Sequence, residues 1–350
     1  LDDLRAEFTS SKDSVPKLIK LRERLSHFRF LDPACGCGNF LVVAYRELRR
    51  LELDILRRLR ALNRNENLLL DVTMGLSVSL SQFFGIEIEE WPAKIAETAM
   101  FIVDHQANLE LAIEFGQAPD RLPIKTSATI RIGNAIRIDW RDIVPPSDDV
   151  IVLGNPPFIG MSLLTTEQQV DNRFAFASPL ATGLRTGRLD YVACWYAKAI
   201  DYMQGTKMRC AFVSTNSITQ GEQARVFGPL LASNGFEIDF AHRTFSWSSE
   251  APGAAAVHVV IIGFSQGGIV KSKHLYDYPD IKEWPTRIEA KHINIYLADS
   301  EVSAIGKHAT PLVDVPKLTE GNRPQDGGGL LVSPEERDEI LRTDPIAAKY

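Results

Sequence analysis

The loop formed by Asn155, Pro156, Pro157 and Phe158 holds the residues with the clearest potential for chemistry. Neither proline has an N–H to donate and both restrict the backbone, so the loop is stiff and its carbonyl oxygens stay free to accept hydrogen bonds. The side chain of Asn155 adds a carbonyl acceptor, and Phe158 adds an aromatic ring. A plain turn after a strand is the simpler interpretation, but an aromatic residue at the carboxyl end of a predicted central strand favours a functional site.

A second loop combines an acid with two glycines, in the order Asp32, Pro33, Ala34, Cys35, Gly36, Cys37, Gly38, Asn39, Phe40. Glycines let a backbone approach a ligand closely, and the helix that begins here offers free N–H groups. A dinucleotide site would need a third glycine where Leu41 stands, so no pyrophosphate site is predicted. Because the Asp32 carboxylate can meet the ammonium of an amino-acid ligand, the loop suits S-adenosylmethionine better than NAD. The alternative is a tight turn between a strand and a helix, capped by Asn39.

Two further strand ends agree with this cofactor. The predicted strand at 83–87 ends in Glu87, whose carboxylate can accept both ribose hydroxyls if the strand lies beside the first one. A third strand leads into Asn134, whose amide could read the adenine edge of the cofactor, although alone it would be an ordinary turn residue. The predicted cofactor site therefore contains residues that follow three strands: Asp32, Pro33, Ala34, Gly36, Gly38, Asn39, Phe40, Glu87, Ile88, Asn134 and Ala135.

These loops need a scaffold that brings strand ends together, and the hydrophobic pattern predicts one. Short apolar runs alternate with helical patterns over the first three quarters of the chain, as in a doubly wound parallel sheet. The predicted fold is α/β, Rossmann-like and seven-stranded, with strands at 28–32, 83–87, 129–132, 150–153, 209–214, 237–241 and 255–263. Helices are predicted at 15–26, 39–62, 91–111, 191–202 and 220–232.

The composition of the 350-residue chain excludes several classes of protein. With 45% hydrophobic and 24% charged residues, the chain can form a large α/β core and a smaller second unit. The longest apolar run, 254–264, is too short to span a bilayer and the N-terminus lacks a signal-peptide pattern, so a cytoplasmic protein without membrane contact is expected. Four cysteines without zinc spacing predict reduced thiols and no structural metal. A net charge of −6 means that any contact with a polyanion has to be local.

The pattern of the chain changes after Phe264. Helical periodicity fades there, and turn-forming residues accumulate at 277–280, 311–316 and 321–329. A second module is therefore predicted from residue 266. The chain starts at Leu1 within an apparent helical pattern and ends without a terminating signal, which is typical of an excised fragment.

Taken in order, the motifs resemble a known enzyme family. The loop at 155–158 is similar to the Asn-Pro-Pro-aromatic motif of class I amino-methyltransferases, and later blocks at 187–191, 212–217, 245–247 and 256–264 continue the similarity. Together they look like the methyltransferase region of fused restriction-modification enzymes typified by MmeI, with the motif order of the adenine-specific gamma class. The resemblance covers nearly all of the chain.

This resemblance implies a site-specific DNA methyltransferase that moves the methyl group of S-adenosylmethionine to N6 of an adenine flipped out of double-stranded DNA. It implies catalytic roles for Asn155, Pro156, Pro157 and Phe158, and stacking of the target base on Phe158 and Phe245. It divides the chain into a methyltransferase domain at 1–265 and, at 266–350, a linker with the beginning of a target-recognition domain. A fused nuclease domain and a complete recognition domain are expected in the full-length protein.

Other interpretations stay open on the sequence alone. A protein glutamine methyltransferase also presents an Asn-Pro-Pro-aromatic loop, whereas a cytosine N4 enzyme more often has Ser in place of Asn155. A non-catalytic recognition or scaffold subunit is a third possibility, against which the intact Asp32, Glu87 and Asn155 argue.

Overall fold

The computed structural model describes residues 1–62, 75–116, 127–184, 186–247, 257–281, 283–301 and 333–343. Its strands are β1 (Arg29–Asp32), β2 (Phe83–Glu87), β3 (Thr129–Ile132), β4 (Val150–Gly154), β5 (Arg209–Thr215), β6 (Phe236–Trp247), β7 (Val257–Gln266), β8 (Lys273–Asp277) and β9 (Thr286–Ala290). Its α-helices are α1 (Asp2–Ser11), α2 (Val15–His27), α3 (Asn39–Leu62), α4 (Glu90–Phe115), α5 (Thr166–Ala175), α6 (Ala193–Met203), α7 (Gly221–Ser233) and α8 (Pro334–Thr343). Several short 3₁₀ turns lie between them.

All described strands belong to one sheet, in the order β3-β2-β1-β4-β5-β7-β6-β8-β9. The strands from β3 to β5 are parallel, β7 is antiparallel to both β5 and β6, and β9 is antiparallel to β8. The predicted doubly wound α/β fold is confirmed. The predicted count of seven strands is wrong, because β8 pairs in parallel with β6 and β9 then pairs with β8.

The parallel strands are covered on both faces, as parallel sheets require. Because successive side chains of a strand point to opposite faces, Phe30 packs in one core cluster and Leu31 in the other. The first cluster joins β1 and β2 to α2, α3 and α4 through side chains such as Leu21 and Tyr45. The second cluster joins the sheet to α6 and α7, with Tyr196 among its largest fully buried residues.

The sheet extends beyond the boundary predicted at residue 265. The first compact unit runs from Leu1 to Ile305 and therefore includes β8 and β9. The second unit is Gly306–Tyr350, of which the structure describes α8, a helix without buried residues. The assignment of 266–350 to the beginning of a target-recognition domain stays a prediction.

Three of the four cysteines, Cys35, Cys194 and Cys210, are buried, while Cys37 is exposed, and all four are free thiols. Within the described ranges, no group of three or more His, Cys, Asp or Glu side chains is arranged to hold a metal ion. None of the helices in those same ranges is long and apolar enough to cross a bilayer.

Candidate active site at the carboxyl ends of the parallel strands

A cavity of about 540 Å³ opens at the carboxyl ends of β1, β2, β3 and β4. This is the edge where the strand order reverses, since β1 lies between β2 and β4, and ligands of doubly wound sheets bind at such a point. The volume lies in the range typical of small-molecule sites, roughly 300–1,000 Å³. The cavity lining includes eight of the predicted site residues: Pro33, Ala34, Glu87, Ile88, Asn134, Ala135, Asn155 and Pro157.

Asp32, the last residue of β1, is completely buried behind this lining. Its Oδ1 accepts a hydrogen bond from the backbone N–H of Ala34 at 3.0 Å, whereas its Oδ2 is buried without a partner. Burial raises the pKa of this carboxyl to about 7; the Ala34 hydrogen bond opposes the rise and the nearby charge of Glu87 adds to it. A cationic group that reached Asp32 would find an unused acceptor and would favour the ionised form of the carboxyl.

The carboxylate of Asp32 fits here because the neighbouring strand ends in Gly154. A Cβ at position 154 would lie 2.6 Å from Asp32 Oδ1, closer than real Cβ contacts allow. The loop that follows Asp32 is fixed from the other side, where Trp195 donates its indole N–H to the carbonyl of Pro33 at 2.9 Å. The end of β1 is thus held between β4 and α6.

The glycine loop needs its glycines for conformation and for close packing. Gly36 and Gly38 have φ values of +53° and +84°, a region that residues with a Cβ rarely adopt. A Cβ on Gly38 would also lie 3.0 Å from the Cβ of Ala96 on α4. Asn39 begins α3 as predicted, and Phe40 follows it. Four predicted cofactor residues follow the lining residues Pro33 and Ala34 in sequence but are not part of the lining themselves: Gly36, Gly38, Asn39 and Phe40.

Glu87 connects β2 to this loop. One carboxylate oxygen accepts the N–H of Gly36 at 2.9 Å and the other accepts the N–H of Glu89 at 3.0 Å. These bonds fix the carboxylate at the cavity wall, next to Ile88. Each oxygen keeps a further lone pair, which is what a pair of ribose hydroxyls would need.

Asn134 lies in the lining after β3, but other residues already use its side chain. Its Oδ1 accepts the N–H of Ile136 at 2.9 Å, and its Nδ2 donates to Asp171 Oδ2 at 2.8 Å. Asp171 on α5 is almost fully buried and also accepts hydrogen bonds from Arg137 Nε and the hydroxyl of Tyr191, at 2.6 and 2.8 Å. The structure therefore gives Asn134 a bracing contact, and its predicted contact with adenine stays a prediction.

The Asn-Pro-Pro-Phe loop follows β4 and forms one side of the cavity. Asn155 lines the cavity, and its Oδ1 is buried without a hydrogen-bond partner. Pro156 is buried, Pro157 lies in the lining, and Phe158 is half-buried against the core. A buried acceptor costs roughly 1–3 kcal/mol when it is left unpaired, so a donor that reached this oxygen would gain a favourable hydrogen bond.

A side-chain network that the sequence interpretation did not include braces this loop. Asp190 accepts the N–H of Met161 at 2.9 Å through Oδ1 and the hydroxyl of Ser217 at 2.8 Å through Oδ2, which also accepts from Gln223. The next residue, Tyr191, donates its N–H to the carbonyl of Ile159 at 2.9 Å. The loop is therefore connected through Asp190 to the end of β5 and to α7.

Tyr191 and Trp195 also lie in the cavity lining, although no site role was predicted for either. Their rings contact each other edge to face, with centroids 5.3 Å apart. Tyr191 lies in the turn before α6 and Trp195 lies in its first turn, and a spacing of four residues places two side chains on one face where a helix continues through both. This spacing was a usable signal in the sequence.

Phe245, the second predicted stacking residue, lies outside the cavity lining. It is near the end of β6, where its ring stacks on Tyr278 with centroids 4.9 Å apart and also contacts His242. The ring of His242 stacks in turn on Tyr276. The structure therefore places Phe245 in an aromatic cluster between β6 and β8, and its contact with a flipped base stays a prediction.

The chain matches known proteins over its whole length. The family described as "MmeI, DNA-methyltransferase domain" matches residues 8–277. A Bacillus subtilis (strain 168) protein named "DNA methyltransferase A" is 38% identical over 354 residues, which cover 100% of this chain and 38% of the relative. The type IIL restriction-modification enzyme MmeI, solved in complex with DNA, is 44% identical to this chain, with a TM-score of 0.86. The match covers 100% of this chain and 46% of the MmeI chain. The chain thus spans less than half the length of both relatives. On these matches, the chain belongs to the family of MmeI DNA-methyltransferase domains.

Proposed function

We propose that this chain is the catalytic domain of a DNA methyltransferase that methylates N6 of an adenine flipped out of double-stranded DNA. The observation that carries the proposal is the orphaned Oδ1 of Asn155, buried at the wall of a cavity that also contains Glu87 and the loop after β1. The relative named "DNA methyltransferase A" and the MmeI enzyme solved with DNA support a DNA substrate. We further propose that the domain acts within a restriction-modification enzyme that carries a nuclease domain and a complete target-recognition domain.

The residues around the cavity fit S-adenosylmethionine. Asp32 Oδ2 is a buried acceptor without a partner, suited to the ammonium of the amino-acid part. The carboxylate of Glu87 is fixed at the wall, suited to the ribose hydroxyls. The apolar side chains of Ile86 and Ile88 lie beside it in the lining, suited to the adenine ring. When bound, S-adenosylmethionine supplies an electrophilic methyl group.

The protein's task is to prepare the nitrogen that receives this methyl group. The amino nitrogen of adenine is a poor nucleophile because its lone pair is delocalised into the ring. Asn155 Oδ1 and the carbonyl of Pro156 can accept its two hydrogens, which favours a more tetrahedral nitrogen with its lone pair directed at the cofactor. The prolines and the bonds of Asp190 and Tyr191 keep these acceptors in place before the base arrives.

The base has to leave the DNA stack to reach these acceptors. Phe158 lies between Pro157 and Ile159, two residues of the lining, and its ring is our first candidate for stacking on the flipped base. The rings of Tyr191 and Trp195, which line the cavity, are the aromatic surfaces already exposed to it. Such stacking contributes roughly 1–3 kcal/mol per base. Phe245 is the second candidate. To stack on the base, its ring would either keep its contact with Tyr278 and use its other face, or exchange that contact for one with the base.

The test is methylation of DNA by the full-length protein with isotope-labelled S-adenosylmethionine, followed by digestion to nucleosides and mass spectrometry. We expect N6-methyladenine as the labelled product. Asn155→Ala should lower kcat by about 100-fold or more and leave DNA affinity nearly unchanged, since the acceptor acts mainly as the nitrogen changes geometry. N4-methylcytosine as the product, or labelled protein glutamine with unmodified DNA, would overturn the assignment to adenine.

A further inference from the structure

Helix α4 carries a row of exposed apolar side chains along its whole length. The row consists of Trp91, Ile95, Ile102, Leu109 and Ile113, and between 47% and 87% of each residue is exposed. Single exposed apolar residues are common on protein surfaces, but a contiguous apolar patch marks an interaction site. Five large side chains on one helix therefore call for a physical explanation.

The spacing of the five residues places them on one line. They follow one another at intervals of four, seven, seven and four, and at 3.6 residues per turn all five fall within a narrow sector of the helix. At 1.5 Å per residue the row is about 33 Å long. The exposed residues that flank this sector most closely are Thr98, His105 and Gln106, so neither the row nor its nearest neighbours include Asp, Glu, Lys or Arg.

The opposite side of α4 is already packed. Ala93, Ala96, Met100, Val103 and Leu111 are buried, and the helix contacts α3, β2 and β3. A helix that packs on one side only normally has charged residues on the other side. The apolar character of both sides is typical of a helix that is covered on both.

The shape of the row and the length of the related proteins indicate what covers it. A straight apolar line with three- and four-residue spacing fits the apolar face of another α-helix. In the two relatives the matched region is only 38% and 46% of the chain, so most of each relative lies outside it. A segment of the same polypeptide also has a large advantage over a separate partner, because tethering gives it an effective concentration in the millimolar range.

We propose that an amphipathic α-helix from the part of the full-length protein outside residues 1–350 packs lengthwise on this row. The α4 surface is then the place where the methyltransferase domain is joined rigidly to the remainder of the enzyme. The interaction is intramolecular and lies on the helix between β2 and β3, the strand at one edge of the sheet.

The test measures thiol alkylation in the full-length protein, with the modified peptides quantified by mass spectrometry. Ile102→Cys puts a thiol in the centre of the row, and Glu110→Cys is the matched control, an exposed position on the same helix about 100° away from Leu109. We expect Ile102→Cys to react at least about tenfold more slowly than Glu110→Cys, because alkylation has to wait for local opening of the contact. The rates should not change on dilution.

Equal alkylation rates at the two positions would overturn the proposal, because the row would then be open to solvent. Protection that disappears on dilution would also overturn it, in favour of a second copy of the protein. A photo-reactive cross-linker attached to the Ile102→Cys thiol identifies the occupant. It should join a peptide from outside residues 1–350, and a cross-link to a peptide within that range would contradict the proposal.

Discussion

The carboxyl group of Asp32 predicts that binding of S-adenosylmethionine depends strongly on pH. Burial raises its pKa to about 7, so at pH 6 about nine in ten molecules carry a neutral Asp32 and at pH 8 about one in ten. The ammonium of the ligand favours the carboxylate, so binding at low pH has to remove the proton first. This cost is about 1.4 kcal/mol at pH 6 and nearly zero at pH 8, which corresponds to about tenfold weaker binding at pH 6.

Isothermal titration calorimetry of the full-length protein provides the assay. Dissociation constants are measured at pH 6 and pH 8, and the enthalpy at pH 7 is measured in two buffers with different ionisation enthalpies. We expect release of about half a proton per site at pH 7, since about half of the Asp32 carboxyls are protonated there before the ligand binds.

Asp32→Asn is the control for this effect. It preserves the size of the side chain and removes the titrating group, so the affinity of the variant should be weaker and should lose the Asp32-linked decrease towards pH 6. Any pH dependence that remains then belongs to the ligand or to other groups. Equal affinities of the unsubstituted protein at pH 6 and pH 8, or the same decrease in Asp32→Asn, would refute the reasoning.

Three further substitutions test other parts of the site. Glu87→Ala removes the acceptor for two backbone N–H groups and should weaken S-adenosylmethionine binding by about 100-fold, measured by calorimetry; an unchanged affinity would remove Glu87 from the site. Asp190→Asn should lower kcat by about tenfold with little change in KM for DNA, measured by steady-state kinetics. The amide nitrogen of the new side chain cannot accept the hydrogen bonds of Ser217 and Gln223, so the bond to Met161 loses its anchor on β5 and α7; a change confined to thermal stability would contradict this positioning role. Gly154→Ala should lower the free energy of unfolding by about 1–3 kcal/mol in denaturant titrations, because the new Cβ would collide with Asp32. The control Gly160→Ala should be tolerated, since its Cβ would lie 3.8 Å from its nearest neighbour. Equal stability of the two variants would show that Asp32 moves aside freely.

The parts of the site that follow buried strands could be predicted from the sequence. Asp32, Glu87 and Asn155 each come at the end of a β-branched or aromatic run, and parallel strands place their carboxyl ends on one edge of the sheet. Composition and spacing were therefore enough to bring these residues together.

Contacts between distant residues could not be predicted in the same way. Asp171 lies on the polar helix α5, and its bond to Asn134 joins residues 37 positions apart, for which no local pattern gives a signal. The contact of Phe245 with Tyr278 depends on β8, which the sequence analysis did not identify as a strand. The residues of β9 are largely exposed, so this strand lacks the alternation of buried and exposed residues that reveals a strand in a sequence.

The position of β7 between β5 and β6 has a consequence for the synthesis of the protein on the ribosome. β6 and β8 connect to the parallel half of the sheet only through β7, although β7 follows β6 in the chain. Until residue 266 has been made, the edge of β5 lacks its partner, and Val260, Ile262 and Phe264 are missing from the core. Translation of the 51 residues that follow residue 215, up to residue 266, takes about 3–10 seconds at roughly 5–20 residues per second. During that interval the nascent chain presents an unpaired apolar strand edge, the kind of surface on which chaperones act, and ribosome pausing within this segment would lengthen its exposure.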